Sequence, residues 1–315
     1  GAMAANREYR VFLSCKTHAA TDVLLTNVAE AQALLRRLRS THSAIIGRYI
    51  DERLIDLPLY RYRGKEDVPA GVTPLPRDSQ REASQPKAVD RILANRWAVV
   101  AATPGGIYGL LGDHYGSRER FGHHLADALV LDEASQMSMP EAIMAALPLK
   151  PGGNVIVVGD HRQMPPIVKH DWTNEPRRTF RQFRSYESLF LALLALDPPM
   201  IRFSESFRLH ADMAKFLRDE IYIHDGIDYH SHQTSLLPAH QVGDDFLSAV
   251  LAPEHPLTVI VHDETNSQVR NDFERKLLAP ILRALSDPTG FGLDARKGMG
   301  VVVPHRAQRA ALQED

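Results

Sequence analysis

The chain has 315 residues, with 37 Lys or Arg against 39 Asp or Glu, a net charge of −2, 44% hydrophobic and 24% charged residues; at roughly 150 residues per domain that is room for about two domains with ordinary cores, and it excludes a disordered tail, a collagen-like rod and a histone-like basic binder. Cys15 is the one cysteine, which excludes a disulfide scaffold and suits a reducing compartment. No run approaches the ~18 apolar residues of a membrane span and no charged-then-apolar leader is present, so the expected location is cytoplasmic, on the nucleoid if the source is bacterial.

Val11 to Ser14 (VFLS) reads as a short buried strand. A helix is predicted from Ala19 to about Leu38, because Val23, Leu24, Val28, Ala31, Leu34, Leu35 and Leu38 recur at helical spacing. Residues 36–96 then form a polar, Pro-rich insertion with 13 Lys or Arg against 8 Asp or Glu. Such a surplus beside a sheet suits a nucleic-acid surface, and it equally suits a solvated subdomain. Further strands are predicted at Trp97–Ala102, Ala128–Leu131 and Val155–Val158. Continuous aliphatic runs of this kind, each leading into a loop or helix, predict a parallel sheet covered on both faces. A helix at Leu189–Leu196 precedes Asp197-Pro198-Pro199, the expected domain boundary. Beyond it, residues 225–243 read as a polar loop, 257–261 and 300–303 as strands, and 271–285 as a helix, making a second α/β unit.

The chemistry concentrates at two strand ends. Ala128 to Leu131 runs into Asp132 and Glu133, and Val155 to Val158 into Gly159-Asp160-His161-Arg162-Gln163-Met164-Pro165-Pro166. Paired acids at a strand's carboxyl end suit a cation and an activated water, and a Gln in the neighbouring loop suits a phosphate or that water. Solvated acids and a turn glutamine are the bland alternative. Arg177, Arg178, Arg181 and Arg184 form a basic cluster, suited to a nucleic-acid path or to solvent. His230-x-His232 has the spacing of a metal pair but lacks an obvious third ligand in the sequence. Cys15 at a strand end reads as a small core residue.

Together LVLDEASQM and VIVVGDHRQMPP resemble motifs II and III of superfamily 1 helicases, in the 5′-to-3′ branch of the Dna-two and nonsense-mediated-decay types. Residues 12–22 (FLSCKTHAATD) resemble motif Ia, and residues 99–103 (VVAAT) the strand-Thr motif. Residues 203–210 (FSESFRLH) and 301–308 (VVVPHRAQ) resemble two segments of the second domain. The resemblance implies an α/β fold of two tandem RecA-like P-loop NTPase domains, at 1–197 and 198–315. It implies ATP and Mg²⁺ as cofactors, with Asp132 holding Mg²⁺ through water and Glu133 polarising the attacking water. Gln163 and Arg208 would reach the γ-phosphate, Arg208 from the second domain across a cleft. Thr17, His18 and Thr103 would touch the backbone of single-stranded DNA or RNA, DNA being favoured, and the same polypeptide would carry other domains, a nuclease among them. Helix capping is the alternative role for Thr17, His18 and Thr103, Thr17 in particular.

The family's Gly-rich loop ending Gly-Lys-Ser/Thr is absent from the sequence, where the sole Gly-Lys, Gly64-Lys65, precedes Glu66. Nor do its motifs V and VI occur. The expectation is therefore a piece of a larger ATP hydrolase and helicase, inactive alone. A degenerate nucleic-acid-binding module and an ATP-driven protein switch without nucleic acid remain alternatives.

Overall fold

The computed structural model describes residues 2–62, 68–116, 118–167, 187–239, 243–294, 296 and 298–314. Arg177, Arg178, Arg181 and Arg184 lie outside the described residues. The chain divides into two compact units, 1–199 and 200–315.

The first unit is built on strands β1 (Tyr9–Cys15), β2 (Leu59–Tyr62), β3 (Val72–Leu75), β4 (Trp97–Ala101), β5 (Ala126–Asp132) and β6 (Leu149–Val157). They form one sheet in the order β3-β2-β4-β1-β5-β6, every pairing parallel. The helices are α1 (Ala2–Ala5), α2 (His18–Thr41), α3 (Ser43–Tyr49), α4 (Ala88–Leu93), α5 (Pro104–Tyr115), α6 (Met139–Ala146) and α7 (Leu189–Leu194). This mostly parallel α/β architecture is consistent with a RecA-like fold.

Side-chain alternation sorts the strands between two cores. Phe12, Tyr60, Tyr62, Val100 and Leu129 join Ile92 of α4, Ile107 and Leu111 of α5 and Ala145 of α6 on one face. Leu13, Leu59, Val99 and Ala101 meet Leu25 and Ala29 of α2 on the other. Phe12 and Leu25 are fully buried, and each such side chain contributes about 1.5–3 kcal/mol of transfer free energy. Covering both faces is what a parallel sheet requires, and it explains why β4 is apolar throughout and β1 at five of its seven positions.

The insertion at 36–96 is corrected by the fold. It supplies β2 and β3, two strands of the sheet itself, and buries Leu59, Tyr60, Tyr62 and Leu75. Several of its cations are consumed locally. Arg36 and Arg39 pair with Asp56, Arg53 with Asp51, and Lys87 with Asp78. Arg61 is wholly buried and pairs with Asp22 of α2 at 2.5 Å.

The Val155–Val158 run does form a strand, but it is not buried. Among the described residues β6 is the terminal strand and pairs only with β5, and Val155 and Ile156 are about half exposed.

The second unit contains β7 (Glu205–His210), α8 (Ala211–Glu220), β8 (His230–Gln233), α9 (Asp245–Val250), α10 (Asp272–Ser286) and α11 (Arg306–Gln313). β7 and β8 pair in parallel, so part of the expected polar loop at 225–243 is a strand. The runs at 257–261 and 300–303 are not strands: among the described residues they have no ladder partner, and Val259, Val261 and Val302 are exposed. The helix expected at 271–285 forms as α10. Buried Gln308 fastens α11 to it, its Oε1 accepting from Asn271 N at 2.7 Å and its Nε2 donating to Asn271 O at 3.0 Å.

Candidate functional site

The carboxyl edge of the six-stranded sheet gathers the candidate residues of the first unit. β5 ends at Asp132, opposite Cys15 at the end of β1. Glu133 follows in the left-handed region, with φ 54° and ψ 36°. A non-glycine residue adopts that conformation at a cost of order 1 kcal/mol, and such residues cluster at functional sites. The turn is over-determined on both sides. Glu133 N donates to Asp132 Oδ1 at 3.0 Å, and Gln136 Nε2 donates to Glu133 Oε2 at 3.0 Å. Gln136 was not singled out by the sequence; its signal is the three-residue spacing from Glu133 within a single 3₁₀ turn.

The loop after β6 interlocks with this turn. Val158 N donates to Leu131 O at 2.8 Å, and Ala134 N donates to Val158 O at 2.9 Å. At Gly159 an added Cβ would lie 2.9 Å from Ser135 N and 3.0 Å from Phe190 Cδ2. Only glycine permits that approach. Asp160 then organises the turn: its Oδ1 accepts from Arg162 N at 2.9 Å, and its Oδ2 from Gln163 Nε2 at 2.9 Å. Gln163 itself is exposed. The structure thus sets the Asp132-Glu133 turn and the loop carrying Gln163 side by side. Within the acidic turn, Ser135 Oγ is buried without a hydrogen-bond partner among the described residues.

Neighbouring electrostatics follow from burial. Cys15 is fully buried. Its thiol is pushed up to about 12, first by desolvation and then by the negative charge of Asp132, with Glu133 adding to it. It is a core residue, as its sequence position suggests. Glu141 is the third residue of α6, reaches back to Ser138 in a capping box and pairs with Lys16. Burial raises its carboxyl, but the bonds from Lys16 and Ser138 outweigh that and hold it below the usual range.

Thr17 and Thr103 follow β1 and β4 at the same sheet edge. Each hydroxyl caps a helix: Thr17 Oγ1 accepts from Ala20 N at 3.2 Å, and Thr103 Oγ1 from Gly106 N at 3.2 Å. His18 Nδ1 lies 3.1 Å from Nη2 of buried Arg61, which also donates to His18 O at 3.4 Å. A guanidinium only donates, so this Nδ1 accepts. The sequence gives no hint of that contact, because the partners are 43 residues apart.

Arg208 belongs to the second unit, on β7. It is exposed, and its backbone N–H donates to Ser206 Oγ at 3.3 Å.

Among the described residues no helix is long and apolar enough to cross a membrane. No protein-family model matches the chain. Two curated proteins are similar to parts of it, both called DNA replication ATP-dependent helicase/nuclease DNA2. The one from Saccharomyces cerevisiae is 56% identical over 45 residues, which is 14% of this chain and 3% of that protein. The one from Mus musculus is 23% identical over 220 residues, covering 62% of this chain and 19% of that protein. The chain thus spans less than a fifth of either relative, and these likenesses support a helicase-like family at the coarsest level.

Proposed function

We propose that this chain is the core of an ATP-dependent helicase or translocase of the superfamily 1, 5′-to-3′ branch, working on single-stranded nucleic acid, DNA in preference to RNA. The observation that carries this reading is the interlock of two adjacent parallel strand ends. It holds the Asp132-Glu133 turn against the Gln163 loop in the crevice where α/β sheets bind ligands. In this reading the two RecA-like domains span 1–197 and 198–315. The likeness to two helicase/nucleases supports DNA as the substrate and a parent protein with further domains, a nuclease among them.

The oxygen-rich turn, with Asp132, Glu133 and the hydroxyl of Ser135, which has no partner among the described residues, is a donor set that suits a hard cation such as Mg²⁺. Bound Mg²⁺ would neutralise charge on the phosphate oxygens of ATP. Asp132 would hold it through water. Glu133, fixed by Gln136, would orient and polarise the attacking water. Gln163, braced by Asp160, would hydrogen-bond that water or the γ-phosphate. Arg208 is assigned as the second unit's γ-phosphate contact, stabilising charge that develops as the bond breaks. Thr17, His18 and Thr103 would contact the nucleic-acid backbone. The capping of Thr17 and Thr103 leaves that role to the hydroxyls' remaining hydrogen-bonding capacity.

Two measurements test the reading. In the parent protein, Glu133→Gln should retain ATP binding and lower turnover ~10²-fold or more; near-normal turnover would remove Glu133 from its role. Titrating the 315-residue chain with single-stranded DNA and RNA of one sequence should give tighter DNA binding that weakens steeply with salt. Absence of single-strand binding would favour a protein switch.

A further inference from the structure

We propose that Glu205, His230 and His232 form a binding site for a zinc-class divalent cation on the exposed face of the β7–β8 pair. His230 and His232 are two residues apart on β8, so their side chains leave the same face. Glu205 is the direct register partner of His230 on β7, which brings it to that face as well. One ligand atom from each residue lies within 4.8 Å of the other two, and His232 Nε2 is 3.8 Å from Glu205 Oε1.

Metal–ligand lengths of about 2.0–2.2 Å place neighbouring tetrahedral ligands about 3.4 Å apart. The donors therefore need to close by about 1.4 Å at most, which rotation of the exposed Glu205 and His232 side chains accomplishes. One of the rings is already oriented. His230 Nδ1 lies 2.9 Å from the carbonyl of Asp228. A carbonyl only accepts, so Nδ1 carries the proton and Nε2 keeps the free lone pair. This is the outer-shell contact that fixes the tautomer in metal-bound histidines. Two imidazoles and one carboxylate favour Zn²⁺, Co²⁺ or Fe²⁺ over Mg²⁺ or Ca²⁺, with water completing the shell.

A cation here would cross-link β7 to β8. A two-stranded sheet is marginal by itself, and Arg208 sits three residues beyond Glu205 on the same strand. The ion would act as a staple for the strand that presents this arginine. The site rests on side chains of the second unit alone and stands whether or not the chain is a helicase.

The test is titration of the metal-free 315-residue chain with Zn²⁺ by calorimetry and with Co²⁺ by visible absorption. Expected is one saturable equivalent, with Co²⁺ bands of a four- or five-coordinate ion. Affinity should fall ~10-fold or more in Glu205→Gln and further in His230→Ala/His232→Ala, each with an unchanged circular-dichroism spectrum. Zinc should raise the melting temperature of the wild-type chain and not that of the double variant. Absence of a saturable equivalent, or the same affinity in wild type and double variant, overturns the proposal. An undiminished affinity in Glu205→Gln overturns the three-ligand site.

Discussion

Gly159→Ala tests the interlock on which the candidate site is built. Its new Cβ would sit 2.9 Å from Ser135 N, 3.0 Å from Phe190 Cδ2 and 3.4 Å from Ala134 N. Ordinary contact begins near 3.4 Å, so the loops must part by about half an ångström. The obstacle on one side is backbone, which cannot swing away, and on the other a ring packed against the core. Parting also stretches the 2.9 Å bond from Ala134 N to Val158 O beyond useful length. Overpacking costs about 1–3 kcal/mol and one weakened backbone bond about 1 kcal/mol. A loss of about 2 kcal/mol is expected, roughly a thirtyfold fall in the folding equilibrium of the first unit. In a unit of this size that lowers the melting temperature by ~4–8 °C, readable by circular dichroism. Gly105→Ala is the control: its Cβ meets nothing within 4 Å, and alanine in a helix is neutral to stabilising by up to about 1 kcal/mol. A Gly159→Ala protein within about 0.5 kcal/mol of wild type would refute the interlock, the surface variation expected of an unconstrained position.

Arg61→Ala should lower stability by about 3 kcal/mol or more in urea titrations, because it strips a fully buried guanidinium from Asp22, Tyr62 O and Ala101 O; a loss under about 1 kcal/mol would show that the pair holds nothing. Cys15, with its thiol pushed up to about 12, should resist iodoacetamide at about pH 8 in the folded chain, since the thiolate is the nucleophile, and react promptly in denaturant; rapid labelling of the native chain would contradict its burial. Glu141 has a folded pKa below its unfolded value of about 4.3. Its stabilisation is therefore complete above that pH and lost as the pH falls through the lower folded value. Melting temperatures measured from neutral to acid pH should show Glu141→Gln less stable near neutrality and converging with wild type in acid, and parallel curves would refute the linkage.

The acidic strand end, the Gly-Asp-x-x-Gln loop and the helix caps were legible in the sequence because each is a local pattern. A run of aliphatic residues forms a strand, a Thr before a helical period caps it, and two acids after the run stand at its carboxyl end. The same local logic failed at residues 257–261 and 300–303. An apolar run becomes a strand only with a ladder partner, and among the described residues none pairs with them. Composition also misjudged residues 36–96, where polar surroundings concealed Leu59-Tyr60-Arg61-Tyr62, the core of β2.

What only the tertiary structure decided is which distant residues share a surface. Parallel pairing set Glu205 opposite His230 and supplied the third ligand that no sequence spacing contained. The crossover from β1 through α2 to β2 brought Asp22 and His18 onto Arg61. The approach of two loops across adjacent strands made Gly159 necessary. Sequence alone determined the period of each element and the chemistry at its ends. Register and crossover depend on how faces are buried against one another, and that free energy belongs to pairs of elements rather than to any single stretch of chain.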